Sequence, residues 1–365
     1  MNNELRTKKV FYILIGIVIG IALCLGGIGG FLLWRISTYE KEFSRIDAKV
    51  EEAIKRLDLP LVEKKIKKMG FLPVYFGIEE TLSIPFDYSL DRLISQIEQE
   101  FSLPPIKICQ IKEENLKDSY EILVNLGLEE ERITHTLRFV LKKVKIALII
   151  DDFGYSKSRA VDIFLEDLDI PFTISIIPGT KYAKLIAEEA HKNGKEVMVH
   201  LPMEAEREEL NHGYKWIILD EMEEKEIKLA TEEAIKNIPH AVGLSNHQGS
   251  VVTTKERPMK ALLEVVKEEG LFFVDSRTDP ETIAFSLAQE MGIKSTSRET
   301  EFLDNEKKID YIKKQFQKLI FLAKARGKVI GIGHANITTA RAIKEILTSL
   351  EGRKIELVYV SEIVD

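Results

Sequence analysis

The chain has 365 residues, 45% of them hydrophobic and 30% charged, enough for about two domains with a sizeable core. Its net charge of −7 argues against a general nucleic-acid binder, which would carry a basic face. Two cysteines, Cys24 and Cys109, exclude a disulfide framework and a cysteine-rich metal site.

Val10 to Trp34 is a run of 25 uncharged residues, preceded by Arg6, Lys8 and Lys9 and followed by Arg35. About 20 apolar residues cross a bilayer as a helix. The run has no small-residue exit, and Leu23 before Cys24 fits a lipoprotein cleavage site poorly, so residues 1–35 are expected to be a basic tail and uncleaved transmembrane anchor. The basic tail places the N-terminus inside. This makes the chain a single-pass protein of a bacterial inner (cytoplasmic) membrane, with its bulk extracytoplasmic. Gly16 and Gly20, like Gly26 and Gly30, have the spacing of close-packing membrane helices, though glycine is common in such spans.

Residues 36–60 form a juxtamembrane helix ended by Pro60. Ile36, Tyr39, Phe43, Ile46, Val50, Ala53 and Leu57 make an a/d seam over three heptads. Either this is a coiled coil pairing two copies of the chain through residues 36–57, or one amphipathic helix packs on its own domain. Residues 61–142 read as a small α+β domain. In it, Ser89 to Phe101 has a helical pattern, and Tyr120–Leu128 and Ile133–Leu141 form a hairpin around the acidic turn Glu129-Glu130-Glu131. His135, on the second strand's apolar face, has no partner in the sequence and reads as a packed residue.

From 145 to 365 short apolar runs alternate with amphipathic helices. The runs are Ile146–Ile150, Phe172–Ile177, Val197–Leu201, Ala241–Ser245, Leu271–Val274, Val329–Ile332 and Ile355–Val360. Helical patterns such as Tyr182–Asn193 and Lys255–Glu269 close on Gly194 and Gly270. Such alternation means a parallel sheet, and about seven units suit a barrel.

Active sites of parallel α/β folds lie at the carboxyl ends of the strands. There the sequence places Asp151-Asp152, His200 with Glu204, Asn246-His247-Gln248 with Ser250, Asp275 with Arg277, and His334. Three of the seven histidines stand at strand ends. One carboxylate and two imidazoles suit zinc or a similar divalent ion, and the second aspartate stays free as a base. Taken singly, Asp-Asp at a strand exit is often a helix cap, and a strand-end histidine is often a satisfied polar residue. Five polar clusters at one rim favour a site. Asp152-Phe153-Gly154 spells a kinase motif, but the glycine-rich loop, strand lysine and catalytic loop of a kinase are missing.

These motifs, in this order, resemble the divergent polysaccharide deacetylase family, a distant relative of the NodB-type carbohydrate esterases. They are Ile149-Ile150-Asp151-Asp152-Phe153-Gly154, His200-Leu201-Pro202-Met203-Glu204, Asn246-His247-Gln248-Gly249-Ser250, Phe273-Val274-Asp275-Ser276-Arg277-Thr278 and Gly331-Ile332-Gly333-His334. The resemblance implies a distorted (β/α)7 barrel over residues 145–365. It also implies a divalent metal, zinc before Co2+, Mn2+ or Ni2+, held by Asp152, His200 and His247. Asp151 would be the base and His334 the acid, with Asp275 orienting His334 and Arg277 holding Asp151 or the substrate. Glu204, Asn246, Gln248 and Ser250 would contact substrate or the ligands. NodB-type enzymes place two metal histidines four residues apart, whereas Glu204 stands four residues after His200 here. The implied reaction is deacetylation of N-acetylated sugars in an envelope polysaccharide such as peptidoglycan. The alternatives are a glycan- or protein-binding module without turnover and an envelope scaffold.

Overall fold

A single helix, α1 (Asn3–Leu57), carries both the apolar run and the heptad seam. The computed structural model describes residues 3–69, 75–127, 133–350, 352 and 354–364; within these, the side chains of residues 3–23, Arg35, Lys68, Met69, Tyr75 and Phe76 fall outside the description. Most of the expected membrane span therefore lies outside the described side chains. Among the described residues, no helix is long and apolar enough to cross a membrane. Leu25, Ile28, Phe31, Leu33 and Trp34 are each more than half exposed.

The chain divides into two compact units, Met1–Lys142 and Lys143–Asp365. In the first, α1 is followed by β1 (Leu61–Met69), β2 (Tyr75–Ser83), α2 (Leu90–Phe101), β3 (Lys107–Asn115), β4 (Ser119–Gly127) and β5 (Ile133–Lys142). The sheet order is β1-β2-β5-β4-β3. β4 and β5 are the expected antiparallel hairpin, while β2 runs parallel to β5. The acidic turn between β4 and β5 lies outside the described residues. Ser89 caps α2 by accepting from Arg92 N, and Leu90, Leu93, Ile97 and Phe101 form its buried face.

The second half of the α1 seam follows the second of its two readings. Ile46, Val50, Ala53 and Leu57 are buried in one cluster with Leu93, Ile97, Ile122, Val124, Leu137 and Phe139 of the same unit. Each such side chain contributes about 1.5–3 kcal/mol by leaving water. That half of the seam is already covered, so it is not available to pair two copies of the chain, and the coiled-coil homodimer through residues 36–57 is not what the structure supports. His135 is fully buried between Asp47 Oδ1 (3.2 Å) and Thr134 Oγ1 (3.1 Å) and stacks on Phe43, a packed residue as its pattern suggested.

The second unit has eight strands: β6 (Val144–Phe153), β7 (Thr173–Ile176), β8 (Glu196–Met203), β9 (Ala241–Gln248), β10 (Phe272–Asp275), β11 (Ser295–Ser297), β12 (Lys328–His334) and β13 (Ile355–Val358). Between them lie α3 (Arg159–Asp162), α4 (Ala183–Lys192), α5 (Glu224–Asn237), α6 (Glu256–Glu268), α7 (Ala284–Glu290), α8 (Ile309–Arg326) and α9 (Ile337–Ser349). The order β11-β10-β9-β8-β7-β6-β12 is parallel throughout. β13 pairs with the first half of β6 (Val144–Ala147), and β7 takes over at Ile149.

The expected barrel is a curled half-barrel, open between its end strands β11 and β12. Strands lie about 4.8 Å apart, so β10 and β12, five places apart, would be roughly 24 Å apart in a flat sheet. Curling lets strands that are far apart in the sheet order fill one interior. Ala147 and Ile149 of β6, Met198 of β8, Phe272 and Val274 of β10, and Ile330 and Ile332 of β12 share a cluster. Val358, Val360 and Ile363 complete it. The segment after β13 closes the amino end of the sheet: Lys328 Nζ donates to Ile363 O, and Val360 N to Thr173 Oγ1. The carboxyl rim is the end left for polar residues.

Candidate metal and proton-transfer site

Register sets the rim. Asp151 lies beside His334 across the β6–β12 pair, and His200 lies beside Ser245 across β8–β9. Neighbouring residues of a strand point to opposite faces, which would send Asp151 and Asp152 apart. A bulge prevents this. The β6–β7 register shifts between Ile150 and Phe153, and Asp152 adopts φ +66°. Both carboxylates then reach His200: its Nε2 is 3.6 Å from Asp151 Oδ2 and 3.6 Å from Asp152 Oδ1. His247 Nδ1 is 3.2 Å from the same Asp152 oxygen. The bulge ends at Gly154 (φ +116°), where a Cβ would lie 2.1 Å from Thr180 Oγ1.

Each ring is aimed from behind. Ser245 Oγ, itself bonded to Ser175 Oγ, lies 2.8 Å from His200 Nδ1. Tyr214 Oη lies 3.0 Å from His247 Nε2. Nε2 of His200 and Nδ1 of His247 are left to face Asp152. Burial drives His200 well below its ordinary pKa, so the ring is neutral. Burial opposes charge on Asp152, but His247 and His200 outweigh it and hold its carboxyl well below the usual range. Asp152 Oδ1 is buried without a hydrogen-bond partner. An ionised carboxylate oxygen facing one nitrogen of each of two imidazoles is a donor set for a divalent cation. These three residues offer ligand atoms all within 4.8 Å of one another.

Asp151 lies behind this triangle, 1% exposed, with Oδ1 unpartnered. Burial pushes it up to about 8, with Asp152 adding to the rise and His334 opposing it. His334 stands on the other side. Its Nδ1 is 2.8 Å from Asp304 Oδ1. Burial works against its proton, but Asp304 outweighs burial, and with Asp151 and Asp152 raises it to about 9. His334 is thus a cation at neutral pH, with Nε2 as the nitrogen not held by Asp304.

The structure moves other residues away from their expected places. Asp275 does not orient His334. Its carboxylate accepts from Arg277 N, Thr282 Oγ1 and Phe285 N, holding the loop into α7. Asp304 takes the orienting place. Arg277 is exposed with φ +45°, and a second guanidinium, that of Arg298, interacts with the charge of Asp151. Arg298 donates to the carbonyls of Ser276 and Arg277 and lies over the Phe302 ring. Glu204 is not one of the three clustered ligand residues, and its Oε2 accepts from Asp220 N at 2.7 Å. Ser250 Oγ accepts from Glu206 N. Asn246, fully buried, accepts from Ser276 N and donates to Gln248 O, tying two rim loops together. Gln248 bonds Tyr214. Asp304 and Tyr214 carry no sequence signal of their own, since neither follows an apolar strand run.

The fold and rim define a class: a curled parallel α/β half-barrel with an Asp-His-His triangle at its carboxyl rim. The family model described as divergent polysaccharide deacetylase matches residues 148–364, and the chain belongs to that family. The uncharacterized protein YibQ of Escherichia coli K12 is 32% identical over 207 residues, covering 56% of this chain and 63% of YibQ. An uncharacterized protein of Haemophilus influenzae Rd is 30% identical over 213 residues, 58% of this chain and 74% of that protein. The match thus spans less than two thirds of the length of YibQ. A solved structure of an uncharacterized protein from Agrobacterium tumefaciens C58 shares the fold, with a TM-score of 0.58 and 19% identity over 61% of this chain and 89% of that one.

Proposed function

We propose that the second unit is a metal-dependent hydrolase that removes acetyl groups from N-acetylated sugars of a cell-envelope polysaccharide, such as peptidoglycan. One observation carries this reading. A buried carboxylate with an unpartnered oxygen (Asp151) stands between the Asp152-His200-His247 triangle and the charged His334–Asp304 pair. Family membership supports it.

Asp152, His200 Nε2 and His247 Nδ1 would hold the cation, with zinc the first choice. When bound, the metal supplies Lewis acidity towards the acetyl carbonyl and an attacking water. Asp151 takes a proton at Oδ1, and its raised proton affinity makes its ionised form a stronger base than an ordinary carboxylate. His334 gives a proton from Nε2 to the departing amine, while Asp304 keeps the ring charged and oriented. Base and acid thus sit on neighbouring strands, in register with each other.

The uncharged run Val10–Trp34 and the basic residues before it support a single-pass inner-membrane anchor, with residues 36–365 outside. Retention of the full-length chain in the membrane after alkaline extraction tests the anchor. Zinc content of the purified full-length protein, then amine release from N-acetylated chito-oligosaccharide, tests the reaction. Turnover lost in Asp151→Asn with zinc retained supports the assignment. Stoichiometric zinc with no release from any acetylated glycan would leave a binding module in its place.

A further inference from the structure

The connection from β8 to α5, residues 204–223, is long for a compact domain, and such loops are usually functional. Its base is pinned. Glu204 N bonds Ile218 O, Ile218 N bonds Pro202 O, and Asn211 brackets Ala205 through both its amide atoms. Its tip, His212-Gly213, is exposed, and Gly213 sits at φ +88°, where a side chain would be strained. The next residue, Tyr214, turns back to the site. Its hydroxyl meets His247 Nε2 at 3.0 Å, Gln248 Nε2 at 3.0 Å, and the hydroxyl of Tyr155, which is half exposed.

A proton count gives these contacts a direction. A tyrosine oxygen accepts two hydrogen bonds and donates one. Gln248 Nε2 is an amide nitrogen and donates. A His247 ring whose Nδ1 lone pair is given to a cation beside Asp152 carries its proton on Nε2, so it donates too. Tyr214 then accepts from both. With no cation the proton can sit on Nδ1, beside Asp152 Oδ1. Nε2 then becomes an acceptor and competes for the one Tyr214 hydrogen. We infer that Tyr214 is a positioning residue which selects the metal-binding tautomer of His247 and thereby couples order of the 204–223 loop to occupancy of the Asp152-His200-His247 site. The inference rests on the metal reading above.

Residues that orient a metal-bound histidine typically change metal affinity by about 10–100-fold when removed. The test uses full-length protein and Zn2+ alone. Competition titration against a chromophoric chelator should show Tyr214→Phe binding zinc roughly 10–100-fold more weakly than wild type. Tyr155→Phe, which keeps the Tyr214–His247 contact, should stay within about threefold. Metal-free melting temperatures of both variants establish that each is folded. Hydrogen exchange on the wild type requires no variant: zinc should slow exchange of the amides around Tyr214. Equal zinc affinity in wild type and Tyr214→Phe, or unchanged exchange at the loop on zinc binding, overturns the coupling alone. Wild type that takes up no zinc overturns the metal reading and this inference with it.

Discussion

The Asp304–His334 pair offers the sharpest test of the proposed chemistry, through Asp304→Asn. Asp304 Oδ2 accepts from His334 N (2.9 Å), Asn336 Nδ2 (2.8 Å) and Thr339 Oγ1 (2.6 Å), while Oδ1 faces His334 Nδ1. An asparagine will keep its carbonyl where three donors converge, so its NH2 group will face Nδ1. Nδ1 must then accept, and the ring becomes neutral. With the Asp304 hydrogen bond and charge gone, only Asp151 and Asp152 still oppose burial, so His334 falls from about 9 towards its ordinary 6.5. At pH 7.5 the protonated fraction drops from about 97% towards about 9%, a loss of up to about tenfold in the competent acid. A raised histidine pKa contributes stability that is complete below 6.5 and lost as pH rises through about 9, and the variant should lack that dependence. Two assays read this. The alkaline limb of amine release against pH should move down from near 9 towards 6.5. NMR titration of metal-free protein, with His334→Gln to assign the resonance, should show the same shift without relying on turnover. An unmoved titration in Asp304→Asn would refute the account of the pair, and an unmoved limb beside a moved titration would remove His334 from the reaction.

Other substitutions check the remaining geometry. Asp152→Ala and His247→Ala should each abolish stoichiometric zinc, measured by elemental analysis after dialysis; either one binding as wild type would sink the ligand set. Glu204→Gln should keep full zinc content, because its carboxylate serves Asp220 N, and a metal-deficient variant would return Glu204 to the site. Gly154→Ala forces a Cβ against Thr180 Oγ1 at φ +116°, and should cost roughly 2–5 kcal/mol in urea unfolding of the second unit. A cost under about 1 kcal/mol would mean that the turn relaxes freely.

Much of the second unit is legible because buried parallel strands are continuous apolar runs. Ile146–Ile150 and Val197–Leu201 announce β6 and β8, and the polar residues after them are the rim. Legibility ends where the strand signal does. β11 is Ser-Thr-Ser, so nothing marks the chain beyond it as part of the site, and Asp304 is invisible. Asp275 is the converse. It follows an apolar run as Asp151 does, but its donors are Thr282 Oγ1 and Phe285 N, from a loop whose path no spacing encodes. The α1 seam is ambiguous in principle, since an a/d period serves a partner copy and a helix's own domain equally. Only the burial of Ile46 to Leu57 in that domain decides it. β1, with four lysines in nine residues, has no apolar alternation to betray it.

The centre of the site rests on a departure from the strand rule that revealed it. Continuous pairing through Phe153 would place Asp151 and Asp152 on opposite faces, giving the rim one carboxylate, either ligand or base but not both. The bulge brings in the second at the cost of one non-glycine residue at positive φ, about 1–3 kcal/mol. Gln248, next to His247, and Arg277, two residues past Asp275, also hold positive φ at strand exits. Strain of this kind persists where the surroundings over-determine it, and here they do. β6 is paired on both edges, Gly154 locks against Thr180, and Ala335 N bonds Asp151 O. The two aspartates therefore differ by placement and not by identity. One is ionised by the histidines in front of it, and the other is kept proton-avid by burial behind them. That division between an ionised and a proton-avid carboxylate is what the proposed hydrolysis requires of the pair.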